Sequence, residues 1–143
     1  MQLEEFLFCE MARSEASGQV SLIGLHAGNE LTIQLPPRAT LQLIPNLSCV
    51  VVLGDMQSVR NVRMQCQIRY KEQVVLNTPE QVTPIPTPKK FFNIMLNFAP
   101  FPCLQGSGDY EFRVTVQPGP DSPTTYSRKF RIEQQTAQPT TQH

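Results

Sequence analysis

Two histidines and four cysteines are the side chains from which a nucleophilic or metal-binding site would have to be built. The histidines are His26 and His143, so any Ser/His/Asp or Cys/His arrangement rests on His26. It stands where an apolar segment gives way to the turn-forming Ala27-Gly28-Asn29, the place of a polar residue closing a strand. Cys9, Cys49, Cys66 and Cys103 lie far apart, with no Cys-x-x-Cys pair and none of the paired spacing of a zinc site. Three of them sit inside apolar runs and are read as reduced core thiols, a Cys49 to Cys66 bridge across two strands being the alternative. Gly106-Ser107-Gly108 has the composition of a phosphate-cradling loop. It leads into a strand, however, so no helix N-terminus stands behind it to hold an anion. No catalytic residue, metal or cofactor is expected.

Charge offers two weaker candidates. Arg63, Arg69, Lys71, Arg113, Lys129 and Arg131 fall at or beside outward positions of three alternating segments. If those segments are neighbours in one sheet, the six cations gather on one face, which would suit an anionic ligand or the acidic surface of a partner. The plainer reading is a solvated face offset by Glu111 and Glu133. Near the N-terminus, Glu10 and Arg13 form a candidate rim site, expected to be joined by a surface ion pair that fixes a hairpin. Lys89-Lys90-Phe91-Phe92 mixes charge with aromatics as nucleic-acid grooves do, but Phe92 opens an alternating strand and is used as core. Phe91, with Phe101 between Pro100 and Pro102, is expected to form an apolar patch for a partner.

The elements that must position these residues are strands. From 62 to 70, Val62, Met64, Cys66, Ile68 and Tyr70 alternate with Arg63, Gln65, Gln67 and Arg69, a period of two that suits a half-buried strand and no helix. Residues 92–98 and 110–117 repeat the pattern, and Phe130 and Ile132 carry it through 125–133. Residues 3–12 and 19–26 flank Ser14-Glu15-Ala16-Ser17-Gly18 and read as a hairpin, with Gly24 marking a bulge or a close backbone approach. A short run at 31–33 and an edge strand at 39–44 are also expected. Residues 47–53 are apolar without alternation, as in a central strand buried on both faces. Pro79, Pro84, Pro86 and Pro88 make 77–90 an extended edge or loop, because each proline removes a ladder donor. The last hairpin turns through Pro118-Gly119-Pro120-Asp121.

With 143 residues the chain is long enough for one core without disulfide or metal staples. Proline at 13 against glycine at 7 favours short elements joined by rigid turns. The fold expected is an all-β, antiparallel two-sheet sandwich of about eight strands spanning residues 1–133, with a disordered tail at 134–143. Gly108-Asp109-Tyr110 entering a late strand suggests the tyrosine corner of immunoglobulin-like domains, although Phe112 replaces the usual cysteine and there is no tryptophan. Twelve basic and twelve acidic residues cancel, so nucleic acid is not an expected partner. The charges are nevertheless unevenly placed: Glu4, Glu5, Glu10, Glu15 and Glu30 crowd the first thirty residues, whereas Arg60, Arg63, Arg69 and Lys71 form a stretch without acids. Met1-Gln2-Leu3-Glu4-Glu5 lacks the basic start of an export signal, and no apolar run reaches the length of a membrane span. A cytoplasmic protein with no membrane contact is expected.

Phe8-Cys9-Glu10, Arg13, Gly18 and Ser21-Leu22-Ile23-Gly24, with the later Gly108 to Val114 block, resemble a bacterial family of small proteins catalogued as a domain of unknown function. The resemblance implies a bacterial or phage-like origin and a β-sandwich, and it carries no activity. Taken together, the residues point to a non-enzymatic binding or assembly module acting on another protein or on itself. The alternative is a small-ligand binder holding a nucleotide or other anion on its basic face.

Overall fold

The computed structural model describes residues 1–17, 19–26, 31–35, 43–44, 46–102 and 106–134. Among these there is no helix, and the strands run β1 (Gln2–Ser14), β2 (Val20–His26), β3 (Leu31–Leu35), β4 (Leu43–Ile44), β5 (Leu47–Gly54), β6 (Asn61–Tyr70), β7 (Gln73–Asn77), β8 (Gln81–Pro84), β9 (Phe92–Phe98), β10 (Phe101–Pro102), β11 (Gly108–Pro118) and β12 (Thr124–Gln134). One sheet has four strands in the order β2-β1-β5-β9. The other has six, β3-β12-β11-β6-β7 with β8 also on β6, while β4 and β10 form a two-stranded piece. The two sheets pack face to face as a β-sandwich.

Alternation explains how the sheets meet. On β6, β11 and β12 the inward residues Val62, Cys66, Ile68, Tyr110, Phe112, Val114, Val116, Phe130 and Ile132 are buried. From the other sheet Phe6, Phe8, Cys49, Val51, Leu53 and Ile94 complete the same core. Its centre is aromatic: Phe8 lies 5.4 Å from Phe112 and 5.6 Å from Phe130, centroid to centroid. β5 lacks alternation because both of its faces are covered. Cys49, Val51 and Leu53 look into the sandwich, whereas Val50 packs with Cys9 and Ala12 in a second cluster that includes Leu22, Val52 and Met95.

Three expectations change. The two sheets hold ten strands, not about eight, because β7 and, from the proline-rich stretch, β8 both line the edge of β6. Pro84 is tolerated there because an edge strand needs ladder donors on one side only. The sheets are not wholly antiparallel, since β3 joins β12 in parallel, Phe130 opposite Leu31 and Ile132 opposite Ile33. Phe101 is not part of an exposed patch. It is 2% exposed and packs against Phe98, Phe112 and Phe130, leaving Phe91 as the exposed aromatic. The Ala99-Pro100 bond beside it is cis. Of the strand expected at 39–44, residues 39–42 lie outside the described residues and 43–44 pair with β10. Gly18, residues 27–30 and Cys103 also lie outside them, as does the expected tail beyond Gln134.

The tyrosine-corner contact is present. The Tyr110 phenol donates to the Gly106 carbonyl at 2.6 Å, and Tyr70 from β6 donates to the Ser107 carbonyl at 2.9 Å. Two phenols thus hold the segment read above as a failed phosphate loop. Gly108, at φ 140°, is required between them, because a Cβ there would sit 2.9 Å from the Tyr70 ring. Gly24, at φ 65°, is the expected close approach: the Glu10 side chain lies across it, 2.7 Å from where a Cβ would be.

Candidate functional site

The six-stranded sheet sets β12, β11 and β6 side by side, so the outward residues of the three strands share one face. Arg69, Glu111 and Lys129 stand in one row across it, and Asp109 faces Arg131. Together with Lys71 and Glu72 these residues line an open depression of about 700 Å³, bounded by Thr32 of β3. Four of the six expected cations therefore converge: Arg69, Lys71, Lys129 and Arg131. Arg113 lies one row along, its Nε 3.2 Å from Glu111 Oε1. Arg63 sits at the far end of β6, paired at 2.9 Å with Glu80.

The acids are not bystanders. Arg131 reaches Glu133 at 3.0 Å and Asp109 at 3.8 Å, so part of the positive charge is already matched. Arg69 differs. Its Nη2 donates to the Glu72 carbonyl at 2.6 Å, while its Nε is buried with no hydrogen-bond partner among the described residues. Lys71 rests over the Tyr70 ring, 5.1 Å from its centroid. The depression thus gathers four cations beside three acids, on a face whose charges nearly cancel.

The rim site expected from Glu10 and Arg13 is not formed. Arg13 pairs at 2.8 Å with Glu15, and Glu10 turns over Gly24. Parity explains this: residues three apart on a strand point to opposite faces, and residues two apart share one. Hydrogen bonds from Ser21 and then Arg13 hold the Glu15 carboxyl below its ordinary range. His26 ends β2 opposite Phe8, and its side chain lies outside the described residues. Among the described residues no group of three metal-ligating side chains is assembled.

Cys9, Cys49 and Cys66 are buried and free, so no Cys49 to Cys66 bridge is formed. Burial pushes the Cys66 thiol up to about 12. Cys49 is pushed well above its ordinary value, first by burial and then by Cys66 and Cys9 nearby. Such thiols are poor nucleophiles.

A second surface is an edge. The outer strands are β2 and β9 in one sheet and β3 with the β7–β8 side in the other. The β7 pairing shifts register between Ile68 and Arg69, and β8 ends in Pro84. β2 carries Gly24 at positive φ, and β3 has five residues. Bulges, prolines and short strands blunt an edge against further pairing. β9 has none of these. Seven residues, Phe92 to Phe98, pair with β5 in unbroken register, with no charge, proline or glycine. Among the described residues nothing pairs with its outer side. Alternation identified the strand, but its place at an edge depends on strand order, for which the sequence carries no local signal.

No family model and no curated protein matches the chain. Solved structures similar in fold include the PmoD soluble domain from Methylocystis sp. ATCC 49242 (Rockwell), at 13% identity over 92% of this chain and 97% of that one, with a TM-score of 0.42. The N-terminal domain of PorA is another, at 11% identity over 90% and 98%, with a TM-score of 0.32. Neither likeness bears on function.

Proposed function

We propose that this chain is a non-enzymatic binding or assembly module that joins another protein by strand addition at β9. The observation that carries the reading is the contrast among edges: β9 is regular and uncharged, while the others carry a bulge, a proline, a positive-φ glycine or a short parallel strand. An extended segment laid along β9 gains main-chain hydrogen bonds, and alternate side chains select it. Exposed Phe91, with the Lys90 ammonium 5.4 Å from its ring centroid, extends the contact at one end. Buried free thiols support a reducing compartment such as the cytoplasm. Panning displayed random peptides against the protein tests the reading. Extended peptides with apolar residues at alternate positions should be enriched, and adding them should slow amide exchange in β9. Absence of enrichment by the monomeric protein, or protection on another strand, overturns it.

The convergence of Arg69, Lys71, Lys129 and Arg131 favours a second reading, in which the depression on the six-stranded sheet holds a small anion such as a nucleotide phosphate. A ligand of the native state raises the melting temperature by mass action. Inorganic phosphate or ATP should then raise it beyond a chloride control, and Arg69→Gln should abolish the difference. Equal shifts in both proteins would sink this reading.

A further inference from the structure

The partner of β9 is legible in its own sequence, an inference that rests on the strand-addition reading. Residues 92–98 read Phe-Asn-Ile-Met-Leu-Asn-Phe, the same order of side-chain types in both directions about Met95. We propose that β9 pairs antiparallel with β9 of a second copy of this chain, across a twofold axis at Met95, joining two four-stranded sheets into one.

A twofold interface uses one patch twice and must therefore be self-complementary. In the register centred on Met95, Phe92 faces Phe98 of the second copy, Asn93 faces Asn97, and Ile94 faces Leu96. The core-side row, Phe92, Ile94, Leu96 and Phe98, already belongs to or packs against the main core, and three of the four are only partly buried. Pairing covers what each copy leaves open, and directly opposed side chains are the unit of sheet stabilisation. On the other face Asn97 Oδ1 accepts from the Ser48 hydroxyl at 2.5 Å, which leaves its amide NH2 to donate to Asn93 of the second copy.

Competing registers are worse. A slip of two residues one way sets Asn93 against Met95 and Phe98 against Lys90, and the opposite slip sets Asn97 against Met95 and Phe92 against Pro100, so either slip pairs a terminal phenylalanine with a residue outside the strand. The flanking cations do not oppose the centred register either. Lys90 falls opposite Pro100 of the second copy, so the two Lys90 residues lie roughly 33 Å apart along the strands. That exceeds the Debye length of about 8 Å at physiological salt several times over.

Sedimentation equilibrium on the full chain in a Cys103→Ser background tests this. The parent should form a dimer, and Met95→Lys, which sets two ammonium groups against each other at the axis, should be a monomer with unchanged near-UV circular dichroism. Because Met95 touches the Cys9 and Val50 cluster, a milder variant guards against misfolding. Met95→Cys should cross-link to itself on gentle oxidation, since Cβ atoms of directly opposed residues lie about 5 Å apart. Asn93→Cys alone should not, because it faces residue 97. A parent that stays monomeric yet captures panned peptides at β9 overturns self-pairing alone, and a monomer that captures none overturns the strand-addition reading as well. A dimer indifferent to Met95→Lys, or one cross-linked by Asn93→Cys and not by Met95→Cys, overturns the register.

Discussion

A thiol reacts through its thiolate, and burial decides whether that form exists at three of the four cysteines. Cys9, Cys49 and Cys66 are all raised by desolvation, Cys66 to about 12. In a Cys103→Ser background, native protein at pH 8 should therefore give no rapid reaction with a chromogenic disulfide, and guanidinium should release the three buried thiols together. A fast native signal would contradict their burial. The linked effect on stability has a definite sign. The unfolded chain loses these protons near 9.0, whereas the folded chain holds that of Cys66 to about 12, so above pH 9 the native state binds more protons. Stability from this source is complete below pH 9 and falls as pH rises from 9 to 12.

Single strands were the most legible level of the molecule. Val62 to Tyr70 and Tyr110 to Gln117 alternate because one face of each is buried, a local pattern that needs no knowledge of neighbours. The core-thiol reading of Cys9, Cys49 and Cys66 came from the same kind of pattern. What escaped is what depends on partners. Nothing in Leu31 to Leu35 distinguishes a parallel from an antiparallel neighbour. Phe101, set between two prolines, reads as loop, and only tertiary packing turns its ring into the core. The four convergent cations of the sheet face were found by parity, but their matching to Asp109, Glu111 and Glu133 needed the register. Parity places one more cation on the inward face. Arg128 lies between the inward positions Tyr126 and Phe130, so it too points into the sandwich.

At the scale of the whole molecule, Arg128 links the two sheets. Its guanidinium lies 5.3 Å from the Phe8 ring centroid, and Nη1 donates to the Phe6 carbonyl. Among the described residues β2 pairs with β1 only as far as Phe8, so the Phe6 carbonyl lies past the last β1–β2 pair. A cation from the facing sheet supplies a donor there. Its long apolar stem packs on the way in, which lets the charged head sit at the margin without full burial. A hydrogen bond from a charged donor contributes about 2 kcal/mol. Arg128→Met keeps the stem and loses that bond, and in a domain of this size the melting temperature should fall by roughly 6 °C. Arg128→Lys, which keeps a charge but cannot reproduce the planar fork, should fall between. Arg131→Met supplies the comparison three residues on. It removes only exposed pairs with Asp109 and Glu133 and should stay within about 0.5 kcal/mol of the parent. Equal melting temperatures for Arg128→Met and Arg131→Met would show that the sheets are held by apolar contact alone. A lower value confined to Arg128→Met, with faster amide exchange at the start of β1, would locate the link where the two sheets meet.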